Sequence, residues 1–240
     1  MSTNNTAVIP HKQNQSNKRF GLSKENSFQR PDFKVYSALF TDDAHLDAFG
    51  SLETVFEPED LVNTNSILIL HGGEDISPAI YGQTPSKYTH ASRKLSQRDQ
   101  HEVALAKQAI KLGIPIFGIC RGAQLACAIA GGSLVQHVEN HITSGHDVVT
   151  STGKTYKTSS CHHQMMFPWE IKHELLAWTA PKLSDKYVVE HNEFIDIEIE
   201  PEVVFFPEIK ALAIQGHPEW MPFNSAFVQY CIEQTKEKLL

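Results

Sequence analysis

A short apolar run that leads through a cysteine into a run of small residues constrains this chain more than any other feature. Residues 114–119 have the pattern of a buried strand, and residues 122–130 follow Cys120 with the pattern of a small-residue helix. Gly118 and Gly122 stand two positions before and after the cysteine, where a strained strand-to-helix corner needs small residues. The segment therefore predicts an α/β fold with a nucleophile elbow at Cys120.

The rest of the chain fits the same fold class. Short β-rich runs alternate with helical patterns, which favours a mostly parallel sheet with helices on both faces. Before the elbow we predict strands at 34–40, 53–56 and 66–70, and a helix that is capped by Ser96 or Asp99 and ends near Lys111. After it we predict antiparallel or mixed strands at 147–150, 186–191, 195–200, 203–206 and 211–214, and an amphipathic helix at 223–238. Residues 32–240 are thus expected to form a single domain.

The first 31 residues differ from the rest in composition. Five basic residues and one glutamate give this segment a net charge of +4, whereas the whole chain carries −7. The segment is rich in Ser, Thr, Asn and Gln and lacks apolar periodicity, so we expect a disordered basic tail. It has no apolar stretch of signal-peptide length, which predicts a cytoplasmic protein.

Charge and motifs also narrow the class of ligand. Residues 32–240 carry the remaining −11, a charge that opposes non-specific binding to nucleic acid or to an anionic membrane. No apolar run approaches the length of a membrane span, and no glycine-rich nucleotide-binding motif occurs. A small-molecule substrate without a cofactor is therefore expected.

The four cysteines are too sparse for a disulfide scaffold and contain no Cys-x-x-Cys pair, which favours a reducing compartment. At a helix N-terminus the macrodipole is expected to lower the pKa of Cys120 and to favour attack by its thiolate. The alternative is a buried structural cysteine, which we expect for Cys127, Cys161 and Cys231.

A thiol nucleophile needs a general base, and the segment from Gln215 to Trp220 offers one. His217 and Glu219 have i, i+2 spacing, which places both side chains on one side of an extended segment, and Pro218 stiffens the link between them. His217 could take the thiol proton while Glu219 orients the imidazole.

Oxyanion donors are predicted beside the cysteine. Gly72 and Gly73 follow the third predicted strand, at the edge where α/β sheets bind ligands, and they leave backbone N–H groups unhindered. The N–H groups of Gly73 and Arg121 would form the oxyanion hole, with Gly72 at the substrate. A simple glycine turn is the alternative interpretation.

Six motifs in fixed order resemble the class I glutamine amidotransferase superfamily, and within it the γ-glutamyl-γ-aminobutyrate hydrolase group, peptidase C26. They lie at 72–78 with Tyr81-Gly82, at Arg98-Asp99 with Glu102, and at 118–124, 131–136, 160–164 and 217–220. The resemblance implies a flavodoxin-like fold and a Cys120–His217–Glu219 triad that hydrolyses a γ-glutamyl amide through a thioester. It also implies that Gln124, His162, His163 and Gln164 line the glutamyl pocket. Arg98, Asp99 and Glu102 are expected to tether their helix.

Two departures from the family pattern concern the surroundings of the histidine. Ser159 stands where an asparagine is usual, and Gly216 replaces a bulky residue before His217. A third departure is the stretch of 31 residues between Phe40 and Gly72, which is shorter than expected for the family, where this region carries an additional helix near the substrate entrance. The triad residues are retained despite all three changes, but the identity of the amine leaving group is left open.

Four functions are compatible with these residues. A free-standing γ-glutamyl amide hydrolase is favoured because one helix alone is predicted after His217. The second is a glutaminase subunit that delivers ammonia to a separate synthetase, acting on glutamine. The third uses His141, His146, Cys161, His162 and His163 as zinc ligands, which requires tetrahedral convergence. Because the family loop accounts for His162 and His163, no metal is expected. The fourth is a catalytically silent binding module.

Overall fold

The computed structural model describes residues 34–37, 51–62 and 65–240, and these contain fourteen strands and three α-helices. The strands are β1 (Lys34–Ser37), β2 (Ser51–Thr54), β3 (Ser66–Leu70), β4 (Ile116–Ile119), β5 (Ser133–Val135), β6 (His137–Val138), β7 (Ile142–Thr150), β8 (Thr155–Cys161), β9 (Met165–Phe167), β10 (Glu174–Thr179), β11 (Tyr187–Val188), β12 (Phe194–Ile195), β13 (Pro201–Phe206) and β14 (Ala211–Ile214). The helices are α1 (Gln97–Leu112), α2 (Arg121–Ile129) and α3 (Ala226–Lys238). The predicted tail, residues 1–31, lies outside the described residues.

One nine-stranded sheet organises the molecule, in the order β2-β1-β3-β4-β14-β13-β10-β7-β8. The first five strands are parallel and the last four are antiparallel to their neighbours. The predicted α/β class is confirmed, as is the change to antiparallel strands in the second half of the chain.

Some strand predictions need correction. The segments predicted at 186–191 and 195–200 contribute short strands, β11 and β12, that pair in a separate small sheet with β6. Strands β8 and β10 were not predicted, although both belong to the main sheet. The sequence of β8 is mostly polar, because one face of this edge strand is exposed.

The central strands are buried on both faces, which explains their continuous apolar runs. In β3, Leu68 and Leu70 pack into the core under α1 and α2, whereas Ile67 and Ile69 pack into the core under α3. Alternate side chains of a strand point to opposite faces, so each such strand serves both cores.

Helix α1 begins and ends as its sequence predicts. Ser96 is the N-cap, accepting a hydrogen bond from the Asp99 N–H, while the Asp99 carboxylate accepts one from the Ser96 N–H. Gly113 ends the helix in the left-handed conformation. Asp99 also faces inward, and this side chain reaches the candidate site.

In the described part of the chain, no helix combines the length and apolar character needed to cross a bilayer.

Candidate active site

Three neighbouring parallel strands deliver the candidate residues to one edge of the sheet. β3, β4 and β14 are adjacent, with Leu70 opposite Gly118 and Ile214 opposite Ile119. Gly72, Cys120 and His217 each follow one of these strands, so their chain positions converge at the carboxyl edge. A Cβ added at Gly72 would lie 2.7 Å from Cε1 of His217 and 3.6 Å from Cβ of Cys120.

The corner at Cys120 is strained and closely packed. Cys120 has φ 48° and ψ −105°, an unfavourable conformation for a residue with a side chain. A Cβ on Gly118 would lie 2.5 Å from the Gly122 carbonyl oxygen, and one on Gly122 would overlap the Leu70 carbonyl. Both glycines are therefore required by the close approach of β4, α2 and β3, as the sequence predicts.

His217 and Glu219 pair through their side chains. Nδ1 of His217 lies 2.6 Å from Oε1 of Glu219. The pairing is as predicted, but the backbone is not extended: residues 218–220 form a single 3-10 turn that begins at Pro218, whose fixed φ suits the first position of a turn. The indole of Trp220 stacks on the His217 ring, with centroids 3.6 Å apart and planes nearly parallel.

Burial dominates the electrostatics of Cys120. Desolvation raises the pKa of the Cys120 thiol to about 12, and the backbone N–H of Arg121 opposes this rise only in part. The lowered pKa expected from the helix N-terminus is therefore wrong for the resting site, because loss of hydration outweighs the helix dipole. A raised pKa favours the neutral thiol form of Cys120 at neutral pH.

The side chain of Arg98 binds the backbone of the loop that follows β3. Nη2 of Arg98 donates to the carbonyl oxygens of His71 (3.1 Å) and Gly72 (2.9 Å). Gly73 has φ +145°, and a Cβ there would collide with Nη1 of the same arginine. Glycine is thus required at position 73 both by the backbone conformation and by the guanidinium beneath it.

Glu102 connects this loop to the elbow. Its Oε1 accepts from Nε of Arg98 at 2.9 Å, and its Oε2 accepts from Nη1 of Arg121. Nη2 of Arg121 donates to Oδ1 of Asp99 at 2.7 Å. Asp99, Glu102 and Arg121 are all buried. The expected tethering role of Arg98, Asp99 and Glu102 agrees with these contacts. Through Arg98 the Glu102 carboxylate is also linked to the carbonyl group that precedes the Gly73 N–H, and it binds the Arg121 side chain directly.

The predicted glutamyl-pocket residues fall into two groups. Nε2 of Gln124 donates to the carbonyl oxygen of Gln164 at 3.1 Å, and the backbone N–H of Gln124 donates to the Cys120 carbonyl oxygen at 3.0 Å, so Gln164 is linked to the elbow. The side chains of His162 and His163 diverge from each other. His162 is buried near Glu202, whereas Nε2 of His163 lies 2.9 Å from Oδ1 of Asp75.

Ser159 and Gly216, the two residues near His217 that depart from the family pattern, lie next to each other. Oγ of Ser159 donates to the His217 carbonyl oxygen (2.6 Å) and accepts from the His217 N–H (3.0 Å). A Cβ on Gly216 would lie 2.7 Å from the Ser159 carbonyl oxygen and would overlap Oγ1 of Thr158. The absence of a side chain at 216 therefore allows β8 to approach and fix the His217 backbone.

The other cysteines are placed as expected except for one. Cys127 and Cys231 are buried, but Cys161 is exposed. Cys161 ends β8, where the strand directs alternate residues to the exposed face. The prediction of a buried structural role for Cys161 was wrong, because the edge position of β8 could not be read from its sequence.

Sequence reasoning missed two sets of residues near the site. Trp220 was noted only as part of a motif, although its position next to the His-Pro-Glu turn was the available signal. Glu202 was assigned to no site, and it lies against three histidines. No local pattern marks Glu202, because its partners are distant in sequence.

Known structures share this fold. A glutamine amidotransferase from Thermotoga maritima aligns with a TM-score of 0.52 and 13% identity, covering 87% of this chain and 86% of that one. The glutaminase domain of a Trypanosoma brucei CTPS aligns with a TM-score of 0.50 and 15% identity, covering 85% of this chain and 94% of that domain. These similarities establish the class I glutamine amidotransferase fold.

Sequence comparisons are more specific. Protein NtpR of Enterococcus hirae is 30% identical over 174 residues, which is 63% of this chain and 66% of that protein. Rv2859c of Mycobacterium tuberculosis, provisionally named a glutamine amidotransferase, is 28% identical over 172 residues, 63% of this chain and 50% of that protein. The chain thus matches between half and two thirds of the length of these relatives. The Peptidase C26 family model matches residues 53–219, a range that includes Gly72, Cys120, His217 and Glu219. The resemblance found in the motifs is confirmed, and the chain belongs to the Peptidase C26 family.

Proposed function

We propose that this protein hydrolyses the amide bond of a γ-glutamyl compound, with Cys120 as the nucleophile, His217 as the general base and Glu219 as the group that orients it. One observation carries the proposal. A strained cysteine at the carboxyl edge of the sheet and a carboxylate-paired histidine pack against the same glycine, Gly72.

The raised thiol pKa suits a base-assisted attack. Since Nδ1 of His217 faces Glu219, its Nε2 is the atom that would accept the thiol proton as sulfur attacks the γ-carbonyl carbon. The backbone N–H groups of Gly73 and Arg121 would stabilise the oxyanion. His217 would then protonate the leaving amine, and water, activated by the same histidine, would cleave the thioester to release glutamate.

Contacts of the neighbouring wall support a glutamyl pocket. Gln124 and Gln164 are joined by a hydrogen bond, and Gly72 leaves the space in front of His217 open. We assign Gly72, Gln124, His163 and Gln164 to the pocket lining. His162 supports the loop from behind, since its side chain points into the protein.

The second candidate is a glutaminase subunit that passes ammonia to a synthetase. The carbamoyl phosphate synthase small chain of Polynucleobacter necessarius is 29% identical over 123 residues, which is 51% of this chain and 27% of that protein. Trp220, stacked on His217, is 62% exposed at the site, where a partner protein could cover it. Glutamine would then be the substrate.

A panel of γ-glutamyl amides that includes glutamine separates the two candidates. Glutamate release from γ-glutamyl amines by the isolated protein supports the hydrolase. Glutamine turnover that rises only when a synthetase is added supports the subunit. The panel decides the substrate class but not the nucleophile, which requires variants.

Substitution of the proposed nucleophile tests the mechanism. Cys120→Ala and Cys120→Ser are expected to lower kcat by at least about 10⁴-fold without loss of folding. His217→Ala should lower kcat nearly as much. Glu219→Ala should leave kcat about 10²-fold higher than the Cys120 variants do, because a group that orients the base contributes less than the base itself. Turnover at the wild-type rate in folded Cys120→Ala would refute the proposal.

A further inference from the structure

Three histidines and a glutamate form a buried group on the antiparallel half of the sheet. His141 precedes β7, His146 lies in β7, His162 follows β8 and Glu202 lies in β13. None of the four is more than 7% exposed. We call this group the buried histidine cluster.

The inward atoms of the cluster converge on one point. Oε1 of Glu202 lies 3.2 Å from Nε2 of His146, 3.6 Å from Nδ1 of His141 and 3.7 Å from Nε2 of His162. Ligand atoms about 2.0–2.1 Å from a tetrahedral zinc are separated from one another by about 3.3–3.4 Å. All four candidate ligand atoms lie within 4.8 Å of one another, so small inward shifts of the rings would complete the tetrahedron.

The outward atoms fix the imidazoles in the orientation that a metal needs. Nδ1 of His162 lies 2.9 Å from the carbonyl oxygen of Gln164, and Nδ1 of His146 lies 3.3 Å from that of Asp147. Nε2 of His141 faces Oε1 of Glu200 at 3.3 Å. Oxygen acceptors on the far side of ligating histidines select the tautomer and present the inner nitrogen as a lone pair.

Several inward atoms have no hydrogen-bond partner. They are Nδ1 of His141, Nε2 of His146, Nε2 of His162 and Oε2 of Glu202. Buried polar atoms are nearly always paired, so such a concentration at one point calls for a missing partner. Four donor atoms of types that bind zinc, one of them on a carboxylate, indicate a cation rather than a water molecule.

Two β-bulges place the cluster residues. The β10–β13 pairing shifts between Ala177 and Trp178, which face Val203 and Pro201, so Glu202 is the extra residue. The β7–β8 pairing shifts between Thr143 and His146. Bulges of this kind redirect side chains and recur beside functional sites.

We propose that the buried histidine cluster binds one zinc ion through Nδ1 of His141, Nε2 of His146, Nε2 of His162 and the Glu202 carboxylate. Four protein ligands and complete burial make this a closed, structural site. The ion joins β7, the loop after β8 and β13. That loop continues to Gln164, whose backbone contacts Gln124 beside Cys120, so the metal also braces a wall of the candidate active site.

This proposal departs from the sequence-based expectation of no metal. Of the five ligands considered in the sequence, His141, His146 and His162 converge, whereas Cys161 is exposed and His163 turns to Asp75. A second group, Asp75, His90 and His163, is more exposed, and its Asp75 carboxylate already accepts from the His90 N–H at 2.8 Å. Its hydrogen bonds account for that group without a metal.

The test is metal analysis of the full-length protein, purified without a polyhistidine tag. We expect about one zinc per chain, and after chelation and addition of Co²⁺ we expect the intense visible absorption of tetrahedral cobalt. Zinc added to the metal-free protein should raise Tm by about 10 °C. Metal-free protein that gains neither the cobalt absorption nor thermal stability would overturn the proposal.

Variants locate the metal. His146→Gln and Glu202→Gln keep the side-chain volume and are expected to reduce bound zinc at least tenfold. His90→Gln, in the second group, is the matched control and should retain the full zinc content. Zinc lost in His90→Gln but retained in His146→Gln would place the ion elsewhere and overturn the assignment. Should the cluster variants fail to fold, the cobalt spectrum of the wild-type protein still decides whether a tetrahedral site exists.

Discussion

The Glu102 carboxylate lies between the two arginines that border the candidate oxyanion site, and we expect Glu102→Gln to weaken both folding and catalysis. The substitution keeps the shape of the side chain but removes its charge. Arg98 and Arg121 each donate to one oxygen of Glu102, and the arginine from the elbow is almost completely buried.

The size of the effect follows from these contacts. Two charge-assisted hydrogen bonds are weakened, each worth about 1.5–3 kcal/mol, and one guanidinium loses part of its buried counter-charge. Because Asp99 still pairs with Arg121, we expect the free energy of unfolding to fall by about 3 kcal/mol. For a domain of this size, that lowers Tm by about 6–12 °C.

Catalysis is affected through the loop after β3. Arg98 holds the carbonyl oxygens of His71 and Gly72, so release of its anchor loosens the neighbouring N–H of Gly73. Complete loss of one oxyanion donor costs about 10²–10³-fold in kcat. A loosened donor should therefore cost about 10–100-fold, with a smaller change in KM.

Urea unfolding and steady-state hydrolysis of a chromogenic γ-glutamyl anilide measure the two effects. Glu198→Gln, at an exposed position, is the matched control and should change stability by less than about 0.5 kcal/mol. Arg98→Lys keeps the charge beside Glu102 but loses the forked contact of the guanidinium. We therefore expect kcat to fall while the free energy of unfolding changes little. If Glu102→Gln unfolds within about 1 kcal/mol of the wild-type protein, the bridging role is wrong.

Three further predictions concern the site itself. Gly72→Ala would place a Cβ 2.7 Å from Cε1 of His217, so we expect kcat to fall at least about 10²-fold with a small change in Tm. Burial raises the pKa of Cys120 to about 12, so the rate at which iodoacetamide alkylates Cys120, measured in a Cys161→Ala background because Cys161 is exposed, should still be rising with pH at pH 9. Ser159→Ala removes both hydrogen bonds to the His217 backbone and should lower kcat about tenfold while leaving KM nearly unchanged.

Each of these three predictions would be contradicted by a specific result. An unchanged kcat in Gly72→Ala would mean that His217 tolerates the added Cβ without losing its position. An alkylation rate that levels off near pH 6–7 would show a thiolate in the resting site and contradict the assigned pKa. Unchanged kcat in Ser159→Ala would mean that β8 does not position His217.

Much of the fold follows from local patterns. The elbow was predictable because strand, cysteine, glycines and helix are contiguous, and β3 and β14 because they are buried on both faces and therefore uniformly apolar. β8 and β10 were missed, since their residues meet solvent or a bulge and carry no clean alternation. The helix-dipole argument for Cys120 used local geometry alone and omitted the desolvation that sets its pKa.

The sequence by itself determined the α/β class, the corner at Cys120 and the pairing of His217 with Glu219, because these depend on residue type and short spacing. Only the tertiary structure decided that Glu102 joins two arginines and that His141, His146 and His162 meet Glu202. The contact of Glu102 with Arg121 and the contacts of Glu202 with the histidines join residues far apart in the chain. Strand order, register and two bulges bring them together, and none of these is encoded in a local pattern.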